Sequence, residues 1–186
     1  MRQGLLVAAV ALVLASPALG ETPPAASQTS TQAAPAPRAE DVASSDAIVA
    51  ALYQVISGDE GVPRDWDRFR SLFHPSGRLV AIGGPAEGPA VLRTLTPDDY
   101  ITRSGPLLLQ GFHEREIARR VEHFGGMTHV FSTYDARRSA DAAPFLRGVN
   151  SIQLFDDGQR WWIVSVYWQS ETAQFPLPAQ YLPPAP

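Results

Sequence analysis

Apolar residues recur at helical spacing in two segments of the first half of the chain. The first stripe follows Ser44 and Ser45, either of which can cap a helix, and it consists of Ile48, Leu52, Val55 and Ile56. The second begins behind Pro63 and consists of Trp66, Phe69, Leu72 and Phe73. Because proline cannot continue a helix, Pro75 ends the second segment. The pattern therefore predicts two helices joined by a Gly/Pro-rich loop.

A short strand and a third helix complete this half of the chain. Residues 78–82, which are apolar from Leu79 onward, predict the start of the strand. Thr96, Pro97 and two aspartates then combine an N-cap, a proline at the first helical position and acidic residues in the first turn. We expect this third helix to end near Gly105 and Pro106.

Beyond residue 111 the pattern changes to long segments typical of strands. Residues 112–124 and 127–137 flank Gly125-Gly126, and residues 146–155 and 160–169 flank an Asp-Asp-Gly-Gln turn. Three helices around one short strand, followed by four long antiparallel strands, predict an α+β fold. We expect a cone-shaped domain with about three N-terminal helices packed on a curved, mainly antiparallel sheet.

The register of the first hairpin predicts which side chains share a face. If Gly125-Gly126 is a two-residue turn, Phe124 is opposite Met127 and the other pairs follow. One face is then apolar and should meet the helices; it carries Arg119 and Ser132 among Ile117, Val121, Val130 and Tyr134. The other face pairs Glu122 with His129, Arg120 with Phe131, and Glu116 with Asp135.

The second hairpin is apolar on both faces if Phe155 is opposite Arg160. Trp162 and Trp168 then lie together on one of these faces. An antiparallel sheet with one solvated side alternates between apolar and polar residues, so something must cover the second face. We expect a homodimer through the face with Trp162 and Trp168. The alternative is that the Pro-rich C-terminal residues cover these two tryptophans.

The two ends of the chain differ in composition from the part between them. Arg2 precedes an apolar run over residues 5–14, which as a helix spans about 15 Å, half of a hydrocarbon core of about 30 Å. Small residues at 18 and 20 suit a cleavage site. We expect a signal peptide over 1–20, a disordered Pro/Ala-rich tether over 21–43, a folded domain over 44–174 and a Pro-rich tail over 175–186.

These segments predict an exported protein, periplasmic or secreted, with no stable membrane insertion after cleavage. The alternative is an uncleaved N-terminal anchor. The formal net charge is −4 without a basic cluster, so no nucleic-acid partner is expected. The chain has no cysteine and its 15 basic residues are all arginine, which excludes thiolate nucleophiles and Schiff-base lysines. The 4 histidines lack metal-ligand spacing, and we expect neither a metal nor a cofactor.

Two segments carry a resemblance to a known family. They are residues 145–154, FLRGVNSIQL, and residues 157–163, DGQRWWI. Together with the order of elements and Leu72-Phe73, they resemble the nuclear transport factor 2-like superfamily, and within it the SnoaL-like branch, over about residues 44–171. The superfamily includes isomerases, dehydratases, cyclases and transport factors, so the resemblance implies a fold more than a reaction. Its ketosteroid isomerase branch places a carboxylate base where this chain has Ala81, so that mechanism is not predicted.

The resemblance also implies an inner face that carries Trp161 and Ile163, with Tyr167 beside them. A few polar groups among apolar residues are typical of a small-molecule site, and the predicted ligand-binding residues are Arg119, Ser132, Tyr134, Asn150, Ser165 and Tyr167. The alternative is that these are satisfied polar groups of the core. Arg119 would bind a ligand carboxylate, or else pair with an internal acid such as Glu171.

The sequence thus favours an exported SnoaL-like pocket protein for a small, largely apolar molecule that can carry a carboxylate. The alternative is a cofactor-independent isomerase, dehydratase or hydrolase. In that enzyme His74 or Tyr134 would be the acid or base, and Arg119 an electrophilic clamp. A third hypothesis is an interaction module whose pocket is filled by its own core.

Overall fold

The computed structural model describes residues 35–84 and 88–184. The predicted signal peptide, residues 1–20, and residues 21–34 of the predicted tether lie outside the described residues. No helix in the described part of the chain has the length and apolar character needed to cross a membrane.

Three α-helices form where the apolar stripes and caps predict them. They are α1 (Ser45–Ile56), α2 (Trp66–Leu72) and α3 (Pro97–Leu108). The Ser44 hydroxyl accepts the Ala47 N–H at 3.0 Å, and Thr96 and Asp99 form a reciprocal capping box. Helix α3 continues past its predicted end because Pro106 lies in the last turn, where its missing N–H removes one hydrogen bond only.

Six strands form one mainly antiparallel sheet. They are β1 (Phe73–Gly83), β2 (Val91–Leu95), β3 (His113–Phe124), β4 (Met127–Arg137), β5 (Leu146–Asp156) and β6 (Trp161–Ser170). Their order is β2-β1-β6-β5-β4-β3, and only the β1–β6 pairing is parallel. The predicted α+β class is confirmed, although β2 was not predicted and β1 begins at Phe73 rather than at residue 78. An irregularity between Phe73 and Arg78 accommodates Pro75 inside the strand.

The helices pack on one side of the sheet, which we call the inner face. Val130, Ile152 and Ile163 are fully buried there, against the apolar side of α1 and against Phe69 of α2. Arg64 fixes the helix ends over this face, because its guanidinium donates to the carbonyls of Ile56 at 3.0 Å and Leu108 at 2.8 Å. These are carbonyls that the ends of α1 and α3 leave without a helical partner.

The first hairpin has its predicted register near the turn, with Phe124 opposite Met127 and Arg119 opposite Ser132. A bulge at Ile117 then shifts the ladder, so that Glu116 is opposite Tyr134 instead of Asp135. Because side chains in a strand alternate with a period of two, the shift brings Glu114 and Glu116 to the inner face. Ile117, expected on that face, lies beside the C-terminal residues instead.

The predicted register of the second hairpin is wrong. Trp162, not Arg160, is opposite Phe155, and an irregularity between Ile163 and Ser165 shifts the pairs beyond it. Trp168 is therefore opposite Asn150 on the inner face.

The shift changes the faces of several predicted residues. Ser165 and Tyr167 are opposite Gln153 and Ser151, which puts them on the outer face. Trp162 keeps its predicted place on the face away from the helices, because it is opposite the exposed Phe155. A dimer surface with Trp162 and Trp168 side by side, as predicted, does not exist, since the two rings lie on opposite faces.

The folded unit includes residues that the composition assigned to the two ends. Ala39–Val42 form a 3-10 helix with Val42 in the core, and Asp41 accepts two hydrogen bonds of 2.7 Å from Arg68. At the other end, residues 175–184 lie along the outer face. The ring of Tyr181 packs 5.0 Å from that of Phe131, and the Leu177 N–H donates to Glu171 at 2.9 Å.

Deleting residues 175–186 is expected to increase self-association, because the tail covers apolar side chains of the outer face. Phe131 and Tyr167 would lose this cover, and exposed apolar patches favour a protein partner. Sedimentation velocity at micromolar concentration should show a larger dimer fraction than for the full chain. The same deletion with Phe131→Glu should reverse the increase. Equal dimer fractions for the full and truncated chains would refute a covering role.

Candidate functional site

A cavity of about 400 Å³ lies between the helices and the inner face of the sheet. Most of its wall is apolar and comes from all three helices and from five strands; it includes Leu52, Phe69, Leu79, Leu108, Val166 and Trp168. The exposed members of the lining, Leu107, Gln110, Arg138 and Phe145, mark its mouth. A mostly apolar cavity of this size with few polar groups is typical of small-molecule sites.

Glu114 supplies a carboxyl group to this cavity. Glu114 follows His113, the first residue of β3, and the bulge at Ile117 directs its side chain to the inner face. The Asn150 side-chain amide, from β5, donates a hydrogen bond of 3.1 Å to Glu114 Oε1. Strands β3 and β5, which lie on either side of β4, thus bring an acid and an amide together on the inner face.

Burial raises the pKa of the Glu114 carboxyl from 4.5 to about 7, and the hydrogen bond from Asn150 offsets part of this effect. A carboxyl group with this pKa exchanges its proton near neutral pH. It can therefore donate a hydrogen bond or a proton in one state and accept one in the other.

Two phenols share the cavity with this carboxyl group. Tyr134 extends across β5 toward the Ser170 hydroxyl, 3.3 Å away, and Tyr100 stacks on Phe69 with 5.3 Å between the ring centroids. Burial, with the Glu114 charge as the next cause, raises the pKa of both phenols, so they remain protonated donors at physiological pH. Gly148 makes the path of Tyr134 possible, because a Cβ there would lie 2.6 Å from the Tyr134 hydroxyl.

A chain of hydrogen bonds continues from Asn150 away from the cavity. The Asn150 amide also donates to the Tyr53 hydroxyl at 3.0 Å, and Tyr53 is 2.7 Å from the Ser132 hydroxyl. Ser132 donates in turn to the Glu116 carboxylate. Tyr53 belongs to α1, so this chain ties the helix to three strands.

The predicted site residues separate into three groups. Tyr134 and Asn150 line the cavity. Ser132 is fully buried behind it, in the chain of hydrogen bonds. Ser165 and Tyr167 were expected at the site, but they lie on the outer face because of the shifted register.

The predicted clamp, Arg119, is occupied within the protein. Its guanidinium pairs with Glu116 and with Asp46, so the internal ion pair is the alternative that the structure supports. Glu171, the acid named for that pairing, is instead paired with Arg147 at 2.7 Å. Arg119 does not line the cavity and cannot act there as an electrophilic clamp.

His74 also lies outside the cavity lining. Its Nδ1 is 2.7 Å from the Ser76 hydroxyl, and its ring packs edge-on against Trp162 of the outer face. An acid or base role for His74 in this cavity is therefore excluded by position.

Glu114 and Tyr100 line the cavity but were not among the predicted site residues, and Trp168, which also lines it, was expected on a dimer surface instead. One signal for Glu114 was available: residues 113–116 are four consecutive polar residues, which breaks the alternation that a regular hairpin would show. As for a metal ion, no three His, Cys, Asp or Glu side chains of residues 35–84 and 88–184 group closely enough to hold one.

Comparison with known proteins finds similarity in structure alone. No family model matches the chain, and no curated protein matches it in sequence. A Nostoc punctiforme protein of unknown function with a cystatin-like fold is 9% identical, at a TM-score of 0.51, over 68% of this chain and 87% of that one. A candidate dehydratase of the NTF2-like family from Streptomyces avermitilis is 13% identical at a TM-score of 0.49, over 72% of this chain and 97% of that one.

An NTF2-like protein of unknown function from Silicibacter pomeroyi is 16% identical at a TM-score of 0.45, over 69% of this chain and 94% of that one. Similarity at such low identity concerns the fold and not the reaction. The chain therefore shares the cystatin-like α+β fold of the Nostoc punctiforme protein, and proteins described as NTF2-like are among the structures that it resembles.

Proposed function

We propose that this protein binds a small, largely apolar molecule in the inner cavity, with a polar group of the ligand at Glu114 and Asn150. One observation carries the proposal: a carboxyl group with a pKa of about 7 sits inside an apolar cavity of about 400 Å³. Such a group is costly to bury, and a ligand that hydrogen-bonds to it offsets part of that cost.

The ligand group that reaches Glu114 is expected to be neutral. Arg119, which the sequence suggested as a carboxylate binder, is paired with Glu116 and Asp46 away from the cavity. A ligand carboxylate beside Glu114 would place two like charges together in a buried site, which is unfavourable. The cationic member of the cavity lining is Arg138 at the mouth, where its guanidinium lies 4.3 Å from the Phe145 ring centroid. A ligand carboxylate would have to lie there.

A second candidate function is cofactor-independent acid–base catalysis, for example by an isomerase or a dehydratase. The pKa of Glu114 favours it, since a general acid or base works best when its pKa is near the operating pH. Tyr134 and Tyr100, both in the cavity lining, would donate hydrogen bonds to a developing oxyanion.

The proposal also includes export and a SnoaL-like type of pocket. The apolar run at residues 5–14 is the support for export, and the helix–sheet cavity is the support for the pocket type. A homodimer remains part of the proposal, through outer-face residues other than Trp168.

Native mass spectrometry of the protein purified from its own host tests the binding proposal. We expect a retained small molecule, and we expect Ser104→Trp to abolish its retention because the indole would fill the cavity. Thr102→Trp, on an exposed position of the same helix, is the matched control and should keep it.

A thermal-shift screen of neutral apolar compounds provides a second measurement. A compound at 100 times its Kd should stabilise the wild type by about 2.7 kcal/mol and should leave Ser104→Trp unaffected. If nothing is retained and no compound raises the melting temperature of the wild type, the binding proposal fails.

A further inference from the structure

The hydrogen bonds between Glu116 and Glu114 form one continuous chain with an acidic side chain at each end. Its links are Ser132 to Glu116, Tyr53 with Ser132 at 2.7 Å, Asn150 to Tyr53 at 3.0 Å, and Asn150 to Glu114 at 3.1 Å. Each hydroxyl has one hydrogen to donate, and the amide nitrogen of asparagine has two. The number of hydrogens therefore determines the direction of every link.

The direction is set from the Glu116 end. The Ser132 hydroxyl donates its one hydrogen to Glu116, so its oxygen must accept a hydrogen bond from Tyr53. Because Tyr53 donates its own hydrogen to Ser132, its oxygen must accept a hydrogen bond from Asn150. The asparagine consequently presents its amino group, not its carbonyl, to the link with Glu114.

Glu116 is itself held as an acceptor by an arginine. Arg119 donates through Nε to Glu116 Oε1 and through Nη1 to Asp46. A guanidinium group has hydrogens only to donate, so the atom that faces it must be an oxygen acceptor. The other oxygen, Glu116 Oε2, accepts from Ser132.

We propose that Glu116, outside the cavity lining, fixes the orientation of the Asn150 amide through Ser132 and Tyr53, and so makes Asn150 a donor to the cavity carboxyl group of Glu114. Glu116, Ser132 and Tyr53 are then positioning residues for Glu114. The functional meaning of this arrangement rests on the proposed function, whereas the arrangement itself can be tested without a ligand.

Glu116→Gln should reverse the whole chain. Arg119 still needs an oxygen, so the introduced amide keeps its carbonyl there and turns its amino group toward Ser132. Ser132 must then donate to Tyr53, and Tyr53 to Asn150. The asparagine can accept that hydrogen only with its carbonyl, which then also faces Glu114. A carbonyl bonds to the protonated carboxyl and not to the carboxylate, so the pKa of Glu114 should rise.

Charge alone predicts the opposite result. Removing the negative charge of Glu116 would make ionisation of Glu114 easier and lower its pKa. The other ionisable groups that surround Glu114 are unchanged in the variant. They are Tyr53 on α1, Tyr100 on α3, Tyr134 on β4 and Arg138 at the cavity mouth, and, along a second groove that Glu114 also lines, His113, Arg115, Arg119 and Arg137. An increase in the pKa of Glu114 in this variant therefore indicates the reversed hydrogen-bond chain, and a decrease indicates the effect of charge alone.

Titration of the Glu114 side-chain carboxyl carbon by NMR measures the effect in the full chain without ligand. We expect Glu116→Gln to raise the pKa of Glu114 by about one pH unit. Asp46→Asn removes a carboxylate from Arg119 without touching the chain, and it should give no rise. Glu116→Gln combined with Ser132→Ala interrupts the chain and should also give none. Amide spectra of each variant check that the fold is kept.

The proposal is supported if the pKa of Glu114 rises in Glu116→Gln and in neither of the other two variants. A fall or no change in Glu116→Gln, or an equal rise in Asp46→Asn, would overturn it. These results are independent of whether any molecule binds, so a failure of the proposed function would leave them unaffected.

Discussion

Glu114→Gln is expected to be more stable than the wild type at pH 8, by as much as about 3 kcal/mol. The folded protein raises the pKa of this carboxyl group from 4.5 to about 7, so between these values the folded state holds a proton that the unfolded state has lost. Stability of the wild type should therefore decrease as the pH rises from 4.5 through 7. The glutamine stays neutral and can still accept the hydrogen bond from Asn150, so this decrease disappears.

Urea unfolding between pH 4 and pH 8 measures this difference. The two proteins should have similar stability near pH 4, where Glu114 is protonated in both the folded and the unfolded state, and should diverge as the pH rises. Glu60→Gln, at an exposed loop position, is the control and should follow the wild type. Parallel pH profiles for Glu114→Gln and the wild type would show that this carboxyl group is not the buried one.

Phe69→Ala is expected to lower the free energy of unfolding by about 3–5 kcal/mol. The ring is fully buried and contacts three aromatic neighbours, with centroids 4.9 Å from Phe73, 5.3 Å from Tyr100 and 5.8 Å from Trp66. Its removal leaves a void beside the existing cavity, and the surrounding rings cannot close that void without leaving their own contacts.

Denaturant unfolding of Phe69→Ala, with Phe124→Ala as the control variant, measures the loss in free energy of unfolding. Phe124, at the hairpin turn, is 81% exposed, so its removal should change stability by less than about 0.5 kcal/mol. If the two variants lose similar amounts, Phe69 is not part of a packed wall between the helices and the cavity.

The helices were predictable because their signals are local. Ser44, Asp65 and Thr96 all cap the helices that follow them, and the apolar stripes face the sheet. Strand β2 was not predictable, since its first four residues are exposed and Leu95 is its one buried residue, which leaves no alternation to detect.

The site was predictable only as far as the strands stay regular. Tyr134 and Asn150 were placed at the cavity correctly. Each of the two irregularities adds one residue to a strand, which turned Glu114 inward and Tyr167 outward against expectation. The four polar residues at 113–116 break the alternation beside the first irregularity. A bulge depends on the packing of the finished sheet, however, so the sequence pattern alone does not give its position or the faces that result from it.

The apolar outer face has a related explanation. The pattern of the second hairpin, apolar on both faces, indicated that one face needs a cover, with a second copy of the chain as the expected cover and the Pro-rich tail as the alternative. The tail supplies part of the cover instead, with Tyr181 against Phe131 and the Gln180 carbonyl accepting from Arg120 at 3.1 Å. Its prolines suit an extended segment that lies on a surface without joining the ladder.

The carboxyl group of Glu114 is the feature on which the proposed site depends, and its pKa can be measured directly. Carbon-13 NMR titration of the wild type, with the signal assigned by its loss in Glu114→Gln, should give a value of about 7. A value near 4.5, as for a carboxyl group in water, would contradict a buried acid in the cavity and with it the proposed chemistry of the site.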